Sequence, residues 1–133
     1  MRIFICASKH FYDKIKNIKE ELENNGHVIT LPNSYDDPFL EEKTKLLGEK
    51  EHKKFKADMF KLQNQKVFDN DAVLVLNFKK ENIDNYIGGA VLLEMFKAFE
   101  LNKKIFLFNP VPNNILKDEV EGMDPMIING DLS

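Results

Sequence analysis

Glu94 is the residue whose surroundings ask most of it. It stands among Val91, Leu92, Leu93, Met95 and Phe96, apolar positions at helical spacing, and a carboxylate in such company costs free energy unless it is paired, hydrogen-bonded or used. Either it faces solvent and pairs with Lys97 or Lys104, or it does chemistry. Gly89 lies five residues earlier, so the carboxylate sits about one and a half turns into the helix, within reach of whatever lies at its start. The pair Gly88-Gly89 lets a backbone approach a ligand closely, and it also serves in plain turns. A second group, Ala7-Ser8-Lys9-His10-Phe11-Tyr12, follows the first apolar run. If a helix starts there, its free N–H groups and dipole favour an anion.

The elements that must position these residues are legible in the spacing. Arg2–Cys6 is a short apolar run of the kind buried on both faces of a sheet. Phe11, Ile15, Ile18 and Leu22 share one helical face, ended by Asn24-Asn25-Gly26, and His27–Leu31 forms a second strand closed by Pro32. That unit has the length of a βαβ crossover. Residues 33–49 are charged and broken by Asp37-Pro38 and Gly48, so the pattern assigns only a loop or a partly helical excursion. Phe55, Met59, Leu62 and Val67 return to helical spacing beneath a lysine-rich face that reads as solvated surface. Ala72–Asn77 is a central parallel strand, the helix of Glu94 follows, Lys104–Phe108 is the next strand, and Met126–Ile128 closes the set after a Pro- and Asn-rich connection. The alternation predicts an α/β fold: an open, doubly wound, mainly parallel five-stranded sheet of the flavodoxin or Rossmann-like kind, order 2-1-3-4-5, formed as one domain by residues 1–133. Ligands of such sheets bind beyond the carboxyl ends of the strands where connections diverge, which places Ala7, Ser8, Phe11, Tyr12, Asn77, Gly88, Gly89 and Glu94 together.

Several function classes lack their parts. After the first strand there is neither Gly-x-Gly-x-x-Gly nor Gly-Lys-Ser/Thr, and no Gly-x-Ser-x-Gly elbow exists anywhere. A phospho-accepting receiver would want acidic residues where Ala7-Ser8 and Asn77 stand. The one cysteine, Cys6, ends a buried strand and reads as packing rather than as a nucleophile. His10, His27 and His52 have no spacing for a triad or a metal, and no metal or organic cofactor is expected. The 133 residues carry 43% hydrophobic and 31% charged side chains with a net charge of −3, which offers no broad positive field for a nucleic-acid polymer. No apolar run suits a membrane span or a signal peptide, so a cytoplasmic protein with a small-molecule partner is expected.

Taken in order, Ile3–Ser8 with Phe11-Tyr12, Asp71–Asn77, Tyr86–Gly89, Glu94-Met95 with Ala98, and Lys103-Lys104-Ile105 resemble the nucleoside 2-deoxyribosyltransferase superfamily. That superfamily includes deoxynucleoside 5′-monophosphate N-glycosidases, and the likeness is greatest to its small prokaryotic members. It runs from residue 2 to about residue 110, the segment around 33–50 excepted. The resemblance implies that Glu94 is a nucleophile attacking the anomeric carbon of a deoxyribosyl group as the base departs. A carboxylate there stabilises an oxocarbenium-like centre, and a covalent ester divides one hard displacement into two. It implies a nucleoside or nucleoside 5′-monophosphate as ligand, with Ser8 at a sugar hydroxyl or phosphate, Phe11 and Tyr12 beside the base, and a homodimer or higher oligomer. Lys9 and His10 are the further candidates for holding a phosphate. The alternative is a catalytically silent nucleotide-binding module. The chain departs from the family in having Ala90 four residues before the Glu, where Gly is usual, and Gln63 where an acidic substrate contact is often found.

Overall fold

The computed structural model describes residues 1–133 and contains a five-stranded, all-parallel sheet in the order β2-β1-β3-β4-β5. Strand β1 (Arg2–Cys6) pairs with β2 (Val28–Thr30) on one side and with β3 (Ala72–Val75) on the other. Strand β4 (Lys104–Leu107) pairs with β3, and the two-residue β5 (Met126–Ile127) forms the far edge. Successive side chains of a strand point to opposite faces, so β1 feeds two cores. Phe4 and Cys6 join one with α3 (Glu49–Asp69), α4 (Gly89–Glu100) and α5 (Lys117–Gly122) through Val67, Met95, Ala98 and Val120. Ile3 and Ile5 join the other with α1 (Ile15–Asn24) through Ile15, Ile18 and Leu22. Fully burying one such side chain contributes about 1.5–3 kcal/mol, and both faces of β1 from Ile3 onward and of β3 do so.

The expected order and direction of the strands are present. Differences arise where the chain leaves the sheet. Lys9–Lys14 is a 3₁₀ segment, begun by the Phe11 N–H donating to the Ser8 carbonyl at 2.9 Å, and α1 starts only at Ile15. This tighter turn sets the Phe11 ring edge-on to Phe78 and Tyr86, with centroids 5.5 and 6.4 Å away. The segment after Pro32 contains a short α2 (Leu40–Lys45). It is separated from α3 by Gly48, whose φ of +116° suits glycine. On α3 the buried side chain is Gln63 rather than Leu62, because Gln63 is one turn before Val67 and shares its face. The connection before β5 carries α5, anchored by Val120. No helix is long and apolar enough to cross a membrane.

Candidate functional site

Because β1 and β3 are neighbours in register, with Cys6 opposite Val75, the loops that leave their carboxyl ends start side by side. One turns toward α1 and the other toward α4, on opposite faces of the sheet. The crevice between diverging connections is where this architecture leaves backbone groups and side chains free for a ligand. A cleft of about 280 Å³ occupies that position. Ala7, Ser8 and Tyr12 line it from the first loop, and Gly88, Gly89 and Glu94 from the start of α4. Met59, Phe60 and Gln63 of α3 and the segment from Pro32 to Glu41 complete its walls.

Glu94 is 7% exposed. Burial pushes its carboxyl up to about 8, and the neighbouring Cys6 thiol and Lys66 ammonium pull it part of the way back. At neutral pH the group is therefore mostly protonated. The Cys6 thiol, buried and facing this carboxylate, is raised in turn, so no thiolate forms beside it. Tyr12 is pushed up to about 12 by burial and by the charges of Glu94 and Glu41. It stays a phenol and can donate a hydrogen bond into the cleft.

Cations are present but mostly engaged. Lys9 pairs with Glu42, and Lys56 pairs with Glu41 at 3.3 Å. Lys66 donates to the Leu31 carbonyl at 2.8 Å. His10 is lowered by burial and by the nearby Lys80 and Lys9 ammonium groups. Lys80 differs: its ammonium lies 4.5 Å from the Tyr86 ring centre and forms none of the salt bridges in the molecule. It is the lining cation with no carboxylate to hold it. No three His, Cys, Asp or Glu side chains form a group able to hold a metal ion.

Six of the eight residues singled out in the sequence line this cleft: Ala7, Ser8, Tyr12, Gly88, Gly89 and Glu94. The Ser8 hydroxyl also receives the His10 N–H at 3.5 Å. A Cβ on Gly88 would meet the Tyr86 hydroxyl at 3.3 Å, a tight contact with the end of a side chain, whereas Gly89 faces open space. Phe11 and Asn77 do not line the cleft. Phe11 is a core residue. The Asn77 amide clamps the ends of β3 and β4 together, donating to the Asn109 and Pro110 carbonyls at 2.9 and 3.0 Å and accepting from the Asn109 N–H at 2.8 Å.

Gln63, Lys56, Lys80 and Glu41 were not among those residues, yet they line the cleft. Gln63 is 5% exposed, and its amide takes part in none of the side-chain hydrogen bonds around it. An amide left with both a donor and an acceptor free at the floor of a cleft can read a ligand edge that offers the complement. The spacing Met59, Gln63, Val67 at intervals of four was the signal that could have found it. No protein-family model and no curated protein matches the chain.

Proposed function

We propose that the cleft binds a nucleoside or nucleoside 5′-monophosphate and that Glu94 attacks its anomeric carbon, cleaving or transferring the N-glycosidic bond. The observation that carries this reading is a single buried carboxyl at the switch point of a parallel sheet, facing a cleft with aromatic and amide walls. In the first step a carboxylate oxygen bonds to the sugar carbon while the C–N electron pair leaves with the base. In the second, water or another base displaces the carboxylate. Glu94 must be ionised to begin, so the reaction draws on the deprotonated fraction. Tyr12 can bond to the sugar or base, Gln63 to a polar edge of the base, and Ser8 with Lys80 to a 5′-phosphate. The protein is proposed to act in the cytoplasm, as a homodimer or higher homo-oligomer.

The raised Glu94 carboxyl also favours a second reading, a nucleotide-binding module without turnover, because a neutral carboxyl binds well and attacks poorly. Incubation with deoxynucleosides and their 5′-monophosphates, followed by chromatography for free base and by thermal-shift measurement, separates the two. Base release supports the enzyme. A ligand-dependent shift without base release supports the module.

A further inference from the structure

We propose that Lys66 of α3 is a positioning residue for Glu94, a fixed ammonium behind the floor of the cleft that holds the carboxyl in its ionised form. Lys66 and Gln63 are three residues apart and so neighbour each other on one side of α3. Gln63 reaches the cleft that Glu94 also lines, and Lys66 lies one turn further along the helix. Its ammonium donates to the Leu31 carbonyl at 2.8 Å and stands 5.8 Å from the centre of the Phe4 ring. Phe4 and Cys6 share the face of β1 that packs with Val91 and Met95 of α4, the residues flanking Glu94 on its buried side. The end of α3 is tied to the same strands, where the Asn70 amide donates to the Lys66 carbonyl at 2.7 Å and accepts from the Thr30 hydroxyl at 3.3 Å. A side chain that is flexible on most surfaces is therefore pinned by the exit of β2, by β1 and by its own helix.

The groups that face Glu94 come from three elements. Cys6 of β1 is a buried thiol, Tyr12 of the 3₁₀ segment is a phenol, and Lys66 of α3 is the cation. Lys56 and Lys80 line the same cleft, but Lys56 is taken by Glu41 at 3.3 Å and Lys80 lies against the Tyr86 ring. Lys66 forms none of the molecule's salt bridges. The other charge acting on it is Asp36, from the segment after Pro32. A buried carboxylate has lost its hydration and needs a nearby cation or hydrogen bonds to stay charged, and Lys66 is the cation held in place to do this. In the proposed reaction, forming the glycosyl ester consumes the charge on Glu94 and breaking the ester restores it, so a fixed ammonium favours the step that frees the carboxylate. That use rests on the proposed attack by Glu94, whereas the hold on its ionisation does not.

The test follows the Glu94 side-chain carboxyl of the full chain by carbon NMR through a pH titration, its signal assigned by its loss in Glu94→Gln. Lys66→Met keeps most of the stem and removes the charge, and Lys66→Arg keeps the charge. Circular dichroism verifies folding, and Lys66→Gln, which retains a donor for the Leu31 carbonyl, replaces Lys66→Met if that variant unfolds. The wild-type midpoint is expected near 8. Lys66→Met is expected to move it up by at least about half a pH unit, or about threefold in the ionised fraction at neutral pH, and Lys66→Arg to leave it close to wild type. A midpoint unmoved in the neutral variant, or moved equally in Lys66→Arg, overturns the proposal. A midpoint that moves as expected, in a protein that releases base from no deoxynucleoside or 5′-monophosphate, sustains the role of Lys66 and overturns the glycosidic reading instead.

Discussion

Glu94 and Cys6 set each other's protonation in opposite senses: the thiol lowers the carboxyl, and the carboxylate raises the thiol. Burial outweighs the thiol, and Glu94 ends at about 8. A carboxyl raised on folding stabilises the native state only while it stays protonated in it. The contribution is fully present below the unfolded value of about 4.3 and is lost as pH rises through the folded one. Denaturant midpoints are therefore expected to fall as pH rises from about 4.3 to about 8, and Glu94→Gln, which cannot ionise, is expected to flatten that part of the decline. An unchanged slope in the variant would show that Glu94 is ionised well below neutrality.

Asn77 closes the far side of the same sheet edge. Its three bonds to Asn109 and Pro110 are part-buried, and removing the amide leaves the Asn109 N–H and the two carbonyls unpaired, at about 1–3 kcal/mol for each group that water cannot reach. Asn77→Ala is expected to lose about 3 kcal/mol in urea unfolding while the folded fraction keeps its ligand affinity. A loss of affinity with stability unchanged would return Asn77 to the ligand.

Much of this arrangement could be read from the residues. The doubly apolar runs at Arg2–Cys6 and Ala72–Val75 fixed the two central strands, because only strands buried on both faces lack alternation. Their neighbours then placed Ser8 and Gly88 at one edge. What could not be read depended on contacts remote in sequence. Asn77 looked like a loop donor until Asn109 was seen to hold it, and Phe11 looked like a ligand wall until Phe78 and Tyr86 enclosed it. Leu62 fitted the helical pattern of α3 on hydrophobicity alone, yet the cleft takes Gln63 on that face.

Gln63 makes its own prediction. Its amide meets no protein partner, so Gln63→Ala leaves nothing unpaired behind and is expected to change stability little. It removes one or two bonds to the ligand, weakening nucleoside binding about fivefold to tenfold, or about 1–1.4 kcal/mol. Calorimetric titration of both proteins with the same nucleoside measures this. Equal affinities would make Gln63 a bystander of the cleft.

For a 5′-phosphate, Ser8 and Lys80 are the groups best placed to bind it, since Lys9 is held by Glu42. A deoxynucleoside 5′-monophosphate is expected to bind about tenfold tighter than its nucleoside, or about 1.4 kcal/mol. Ser8→Ala and Lys80→Ala are each expected to reduce that preference to about threefold or less. A wild-type preference already below about threefold, or variants that weaken both ligands equally, would move Ser8 to a sugar or backbone contact.

Glu94→Gln tests the central claim most directly, with base release from a bound nucleotide followed by chromatography across pH. Wild-type kcat/KM is expected to rise with pH as the carboxyl ionises, levelling above about 8. The variant should keep its fold and its ligand-induced thermal shift but release base at least about a thousandfold more slowly, about 4 kcal/mol of lost transition-state stabilisation. A variant that turns over at the wild-type rate would contradict Glu94 as the nucleophile.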